Sequence, residues 1–382
     1  MMSDGRRWRG VALVACLVVA AMSSSATATE GWTKARWKGL RYGTDTWAII
    51  PMPVVFYLPE TSVGGGAALV AYLNMDPAAP DRKPDTIAAT LFYTWNRQLM
   101  SVIQTDFYLW RHRIKLPGEL ILKNFPTFFF GIGPTTPSGD KERYDPWELS
   151  IRTGLLWRTA SRLYVGPALR FANYTTGDPE AGGLLDSGRW AGSVGARFFG
   201  AGLRADWDER DKVFYPLRGF LTSAEILGHL RALGSTTDFL QVNLEHRHFF
   251  ETWREQVVAL QVMLNLGAGR VPFQAMQKLG GPFMMRGYYS GRFRDVNHVA
   301  VQVEYRIPIW WRLGADVFGG AAQVFSQVRD FDWSSVKLAG GAGLRLALDR
   351  VQRVNLRVDF AFCGFGCGDD PFNFYITVRE AF

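Results

Sequence analysis

The stretch RVNLRVDF, residues 353–360, alternates polar and apolar side chains without a break. Its apolar positions are Val354, Leu356, Val358 and Phe360, and the positions between them hold arginine, asparagine, arginine and aspartate. Successive side chains of a β-strand point to opposite faces. The stretch therefore predicts a strand with one wholly apolar face and one wholly polar face.

The same alternation recurs along the chain, for example at residues 258–266, 298–307 and 344–348. A count of such segments gives about sixteen strands, an even number, as single-chain bacterial barrels require. We predict strands near residues 47–57, 64–74, 86–96, 100–112, 114–124, 146–157, 161–174, 191–207, 218–231, 236–250, 255–268, 298–310, 313–326, 336–348, 352–362 and 373–382.

A large soluble sandwich would show the same alternation, so other features must separate it from a membrane barrel. The predicted strands often reach about ten residues, the length that a tilted strand needs to cross a bilayer. Short turns alternate with longer glycine-rich connections, and the aromatic pairs Trp310-Trp311 and Phe249-Phe250 lie near strand ends. These features favour an all-β fold, a transmembrane antiparallel β-barrel of about 16 strands.

Both ends of the predicted barrel carry distinctive residues. The chain ends in FYITVREAF, which predicts a last strand that finishes on Phe382. An aromatic terminal residue is the signal that the outer-membrane assembly machinery recognises in barrel proteins, although Glu380 interrupts the apolar face. In the first strand, Pro51 and Pro53 remove backbone donors, so this segment is either a seam strand or no strand. A weak seam would be a natural lateral opening.

The first thirty residues have the pattern of a secretory signal peptide rather than of the fold. Three arginines among the first nine residues precede an uncharged apolar run at 11–21, and Ala26-Thr27-Ala28 is a small-x-small cleavage site. A lipoprotein cleavage box at Cys16 is a weaker alternative. The predicted organisation is an exported outer-membrane protein with a signal peptide at 1–28, a short periplasmic N-terminal segment at 29–46 and the barrel at 47–382, without room for a folded periplasmic domain.

Composition and cysteine spacing exclude several classes of site. The formal net charge of +8 comes partly from the signal peptide, and the rest of the chain has no basic cluster of the kind that binds nucleic acid. Cys363 and Cys367 lie in the sequence CGFGC without a second cysteine pair, so zinc is disfavoured. In an oxidising compartment a small local disulfide is the plainer interpretation.

No catalytic motif is present in the sequence. It contains neither a Gly-x-Ser-x-Gly elbow nor a phosphate-binding loop. His246 and His248 share one strand face and could bind a metal, but no third ligand is near them in the sequence, so an interfacial pair is favoured. We therefore predict no enzyme activity, metal or cofactor. A hydrolase with a triad scattered over the strands is the least favoured alternative.

Three segments carry a resemblance to a known family. The first is GPFMMRGY at residues 281–288, within the longest loop, 271–297. The second is a turn at 208–219, and the third is the last hundred residues. Together they resemble the bacterial surface antigen superfamily, whose members include the BamA and TamA assembly factors and the two-partner-secretion transporters. The turn residues in question are Asp208, Arg210, Asp211, Pro216 and Gly219.

The resemblance implies that the sixth surface loop folds back into the lumen, where an arginine pairs with inward carboxylates. We call residues 285–288 the loop latch; they are Met285, Arg286, Gly287 and Tyr288. The family often has an aspartate two residues after a phenylalanine on a neighbouring strand, but here Gly320 follows Phe318 at that spacing. The alternation of strand faces predicts that Glu304, Asp316 and Asp359 point inward, which makes them the remaining candidate partners of the arginine. Of these we favour Asp316 or Glu304.

The resemblance also implies a role in inserting or translocating protein or lipid at the outer membrane. The chain is similar to short members that lack the periplasmic domains through which assembly factors bind substrate. A structural barrel or passive pore is therefore the alternative. The expected partners are outer-membrane lipids, the outer-membrane assembly machinery during biogenesis and an unidentified protein or lipid substrate, and not nucleic acid.

Overall fold

The computed structural model describes residues 36–38, 41–58, 62–75, 82–177, 179–213, 215–349, 354–364, 367, 371–378 and 380–382. The predicted signal peptide, 1–28, lies outside them. Within the predicted N-terminal segment, Arg36–Lys38 and Arg41–Gly43 form a short antiparallel hairpin that pairs with the start of the first barrel strand.

Sixteen antiparallel strands, each paired with its neighbours in the sequence, form a closed barrel, as predicted. Strand six is interrupted at Leu155. Among the described residues no helix is long and apolar enough to cross a membrane. The strands are β1 (Ala48–Leu58), β2 (Ser62–Leu73), β3 (Asp85–Thr94), β4 (Leu99–Leu109), β5 (Ile114–Asn124), β6 (Trp147–Gly154 and Leu156–Ala160), β7 (Leu163–Thr175), β8 (Ala196–Asp208), β9 (Gly219–His229), β10 (Phe239–Glu251), β11 (Val257–Gly269), β12 (Asn297–Trp310), β13 (Leu313–Phe325), β14 (Lys337–Asp349), β15 (Val354–Cys363) and β16 (Phe372–Val378).

The alternation seen in the sequence divides each strand between lumen and exterior. In β15, Arg357 and Asp359 are fully buried inside the barrel, whereas Phe360 and Phe362 are 44% and 58% exposed on its outside. Apolar side chains on the outside suit contact with lipid. Closure of the sheet matters because backbone groups in a bilayer must be paired within the protein.

The weakest contact in the barrel is the seam, which we define as the junction between β16 and β1. β1 pairs with β2 along its whole length, so the alternative that this segment is no strand is wrong. Among the residues that the structure describes, Ile376 and Tyr57 form the only pair between β16 and β1. The ring of Tyr57 stacks on Phe374, with 4.0 Å between the ring centroids.

The end of the chain differs from the prediction. The last strand does not finish on Phe382: it ends at Val378, and Glu380 and Phe382 are buried. The register set by Ile376 and Tyr57 would place Glu380 opposite Pro53 and Phe382 opposite Pro51. Proline cannot donate to the ladder, and even-numbered residues of β16 would carry Glu380 to the lipid face, where a carboxylate is costly. The tail therefore turns inward.

The largest other displacement of a predicted strand boundary is at the start of β8. The strand predicted at 191–207 begins only at Ala196. The preceding Gly192 and Gly195 have φ angles of +93° and +108°, a conformation that a continuous strand does not contain. These residues form the end of the connection between β7 and β8 instead.

Candidate functional site

The connection between β11 and β12, residues 270–296, folds back into the barrel and carries the loop latch. A short hairpin of Gln277–Leu279 and Phe293–Asp295 forms its base. The backbone at Gly287 has a φ of +112°, and a Cβ there would come within 2.8 Å of the carbonyl carbon of Phe362. Only glycine fits so close to β15 in this conformation.

Arg286 is the centre of the site and is only 1% exposed. One terminal nitrogen donates to Oδ2 of Asp359 at 2.7 Å and the other to Oε2 of Glu304 at 2.5 Å. Its guanidinium lies 3.4 Å from the centroid of the Phe318 ring. The arginine fork is thus held between two carboxylates on separate strands and an aromatic face.

The pairing of Arg286 extends into a larger charge network on β12 to β15 and the tail. Glu304 also accepts from Arg306 and Arg345, each at 2.7 Å, and Arg357 lies 2.9 Å from Asp359. Four arginines here face four carboxylates, so the buried charges balance. The members of the charge network are Arg286, Arg306, Arg345, Arg357, Glu304, Asp316, Asp359 and Glu380.

The backbone of the latch is fixed by hydrogen bonds to strand side chains. The Gly287 N–H donates to the hydroxyl of Tyr375 at 2.9 Å, and Asn373 donates to the Gly287 carbonyl at 2.6 Å. The Met285 N–H donates to Gln302 at 3.2 Å. The latch therefore joins β12 to β16, and both strands lie on the same side of the seam.

An apolar cluster surrounds the latch on its outer side. Met285 and Tyr288 are each 1% exposed and pack with Leu279, Phe293 and Val324. Tight packing of this kind excludes water from the charge network below it and strengthens the ion pairs. The latch is consequently held by both packing and charge.

All three candidate partners of Arg286 lie within reach of it. The favoured pair was Asp316 or Glu304, but the structure places Glu304 and Asp359 in direct contact and Asp316 at 3.8 Å. Asp316 pairs with Arg345 instead. A Cβ at Gly320 would lie 3.1 Å from the sulfur of Met285, so the latch fills the space that an aspartate at this position would need.

The turn between β8 and β9 is held by its own ion pair and hydrogen bonds. Arg210 binds Asp208 through two nitrogens, each at 2.9 Å, and Asp211 accepts from the backbone of Leu217 at 3.0 Å. Gly219 has a φ of +94°, and a Cβ there would come within 2.2 Å of the Glu209 carbonyl. Pro216 follows Tyr215 where the turn meets the lumen, and Tyr215 packs there with Phe382.

The cysteines and histidines occupy separate places. Cys363 and Cys367 are joined by a disulfide in the connection that follows β15. His246 and His248 share the outer face of β10, and His246 contacts the hydroxyl of Thr222 at 2.8 Å. Within the part of the chain that the structure describes, no three His, Cys, Asp or Glu side chains cluster as metal ligands would.

Several members of the site were not assigned a role from the sequence. They are Arg345, Arg357, Gln302 and Tyr375. The alternation of polar and apolar residues in β12 places Gln302 on the same face as Glu304, two residues before it, and could have indicated its role. Nothing in the pattern indicates that Glu380 leaves its strand to join the network.

The fold and the site define a class: an outer-membrane-type barrel of sixteen strands with a surface loop anchored inside the lumen. A family model described as the Omp85 superfamily domain matches residues 137–382. The chain belongs to the Omp85 superfamily. This agrees with the resemblance that the motifs indicated.

Solved structures with the same fold share little sequence with this chain. BamA from Haemophilus ducreyi, crystallised without POTRA domains 1–3, matches with a TM-score of 0.59 and 12% identity over 94% of this chain and 78% of that one. CdiB from Acinetobacter baumannii matches at 0.54 and 9%, over 88% and 60% of the two chains. CdiB from Escherichia coli matches at 0.53 and 10%, over 86% and 62%. No curated protein matches the sequence.

Proposed function

We propose that this protein inserts or translocates protein or lipid at the outer membrane through its seam. The observation that carries the proposal is that one pair, Ile376 with Tyr57, joins β16 to β1 in the described part of the chain. We also propose that the signal peptide at 1–28 directs export of the protein, and that the protein acts without catalysing a chemical reaction.

The seam is the place where the barrel opens at least cost. Each other strand junction would lose many ladder hydrogen bonds on opening, and unpaired backbone groups in lipid cost several kcal/mol each. Pro51 and Pro53 in β1 have no N–H to lose. A client strand or a lipid could therefore enter between β16 and β1 with little loss of existing pairing.

A second candidate, a passive pore, is less well supported by the lumen. The latch lies within the lumen, and the charge network ties it to β12 and β15 with 2.5 and 2.7 Å contacts. An open aqueous channel has no need of a buried, charge-balanced loop. The lumen is better suited to a barrel that stays closed along its axis and opens sideways.

A disulfide across the seam tests the proposal. Tyr57→Cys with Ile376→Cys places two thiols on directly opposed residues, and Val317→Cys with Ala342→Cys makes a matched pair between β13 and β14. The measurement is assembly of a barrel client, or transfer of labelled lipid between leaflets, in liposomes containing the protein. We expect oxidation to stop this activity in the seam variant alone and reductant to restore it. Equal activity in the oxidised and reduced seam variant would contradict the proposal.

A further inference from the structure

Part of the lumen wall over the first five strands is lined by apolar side chains, whereas the interior of such barrels is usually polar. Met52, Ala68, Val102 and Ile121 line the lumen on β1, β2, β4 and β5. They form one continuous row across the strands, because the strand registers place each beside the next, with Thr90 of β3 between the second and third. A water-filled lumen would not require this apolar row.

This wall faces a cavity of about 510 Å³. On the opposite side the cavity is bounded by the in-folded loop, including Pro282 and Phe283, and at the seam by Thr377. Its volume lies within the range of sites that hold small molecules, roughly 300–1,000 Å³. We call this space the lumen cavity.

Two ammonium groups lie at one end of the lumen cavity. Lys123 comes from β5 and Lys278 from the base of the in-folded loop, and both line the cavity. Among the described residues neither forms an ion pair, and the ammonium nitrogen of Lys123 lies 4.5 Å from the centroid of the Phe125 ring. The two charges are close enough to repel each other.

The surroundings of the two lysines do not neutralise them. Glu148 is the one carboxylate that acts on both, and it accepts a hydrogen bond from Tyr174 at 2.8 Å. Arg294 adds a further positive charge, because it lies beside Lys278 in the loop hairpin. Burial and this neighbour lower the pKa of Lys278 to about 8. Positive charge thus exceeds negative charge at this end of the cavity.

From this geometry we infer that the lumen cavity binds a single-chain amphiphile with an anionic head, a fatty acid or a monoacyl phosphate. The chain lies along Met52, Val102 and Ile121, and the head accepts hydrogen bonds from Lys123 and Lys278. Binding buries the apolar wall and neutralises cations that otherwise repel each other within the barrel. The inference goes beyond the proposed seam function and holds whether or not the barrel inserts clients.

Neither half of the site alone explains the arrangement. A free inorganic anion needs the lysines but no apolar wall, and a neutral lipid needs the wall but no buried ammonium groups, which are costly without a partner. A polar cavity of about 340 Å³ lies on the other side of Gln104 and Glu119. An amphiphile placed with its head at Lys123 keeps its chain on the apolar side of that boundary.

Photo-crosslinking tests the site directly. The probe is palmitate that carries a diazirine on its chain, and the protein is the full chain in nanodiscs of phosphatidylcholine, which offers no anionic competitor. We expect saturable labelling of the peptides that contain Met52 or Val102. Unlabelled palmitate should compete, whereas inorganic phosphate at the same concentration should not. Full competition by phosphate alone would reduce the site to an anion site and overturn the proposal.

Two variants separate the head from the chain. The double variant Lys123→Gln, Lys278→Gln should weaken labelling by about tenfold for each charge removed, and Lys212→Gln in the exposed turn between β8 and β9 should leave it unchanged. Thr90→Trp keeps both lysines but fills the cavity, and it should abolish labelling. Heat-modifiable gel migration shows that each variant is folded. Wild-type labelling in folded Thr90→Trp, or in the folded double variant, would overturn the proposal.

Discussion

A carboxylate oxygen of Glu380 lies 2.8 Å from Nε of Arg345, so the end of the chain is tied to the lumen face of β14. The other oxygen of the same carboxylate accepts from Asn355 at 2.6 Å. These contacts hold inside the barrel the residues that would otherwise lengthen β16 along β1. The charge network that anchors the latch therefore also keeps the seam short.

Glu380→Gln should destabilise the barrel by about 3 kcal/mol, because the buried Arg345 loses a charged partner. Urea-induced unfolding of the protein in lipid vesicles measures the change. Asp238→Asn removes one side of a solvent-exposed pair with Arg231 and should cost less than about 1 kcal/mol. Equal effects of the two substitutions would show that the tail carboxylate is not buried in an ion pair.

Replacing Pro51 and Pro53 by valine, together with Glu380→Leu, should let the tail leave the lumen and pair with β1. The extended register puts residue 380 opposite 53 and residue 382 opposite 51, and valine restores both donors. We expect a higher temperature for loss of heat-modifiable migration and lower activity in the seam assay. The two valine changes without Glu380→Leu form the control. A triple variant with unchanged thermal stability would contradict this account of the short strand.

Arg286→Ala should cost about 3–5 kcal/mol, because Glu304 and Asp359 would lose a buried charged partner. Freed from the network, the loop should move and give large, unstable single-channel conductances in planar bilayers. Arg286→Lys keeps the charge but cannot contact both carboxylates as a fork. Its stability and its conductance should therefore lie between those of the wild type and those of Arg286→Ala. Unchanged conductance and gel migration in the alanine variant would show that the latch does not close the lumen.

Gly219→Ala should destabilise the β8–β9 turn by more than Gly234→Ala destabilises the β9–β10 connection. Both glycines have positive φ, +94° and +102°, but a Cβ at Gly219 would lie 2.2 Å from the Glu209 carbonyl, whereas that at Gly234 meets open space. The backbone penalty is thus matched, at about 1 kcal/mol, and the difference in unfolding free energy reports the steric clash. Equal losses would mean that the turn adjusts freely.

The sequence was sufficient for the barrel and for part of the site, for a physical reason. Period-two alternation is a local property, so the strand content and the inward face of Glu304 and Asp359 could be inferred from it. Which carboxylate touches Arg286 depends on how far the loop descends, and this is set by packing of Met285 and Tyr288. The inward turn at Glu380 depends on prolines more than 300 residues away in the chain, which no local pattern reports.

Amphiphile affinity at the lumen cavity should fall as the pH rises through about 8. Burial lowers the pKa of Lys278 to about 8, so the ammonium group is charged and binds an anionic head below that pH, and is neutral above it. A fatty acid carboxyl group can only lose its proton as the pH rises, which would strengthen its binding to the lysines, so a fall in affinity comes from the protein. Lys278→Arg keeps its charge to much higher pH and should make the decrease smaller. The measurement is palmitate affinity at a series of pH values between about 7 and 10, for the wild type and for Lys278→Arg. Parallel curves for the two proteins would exclude Lys278 as a group that binds the head.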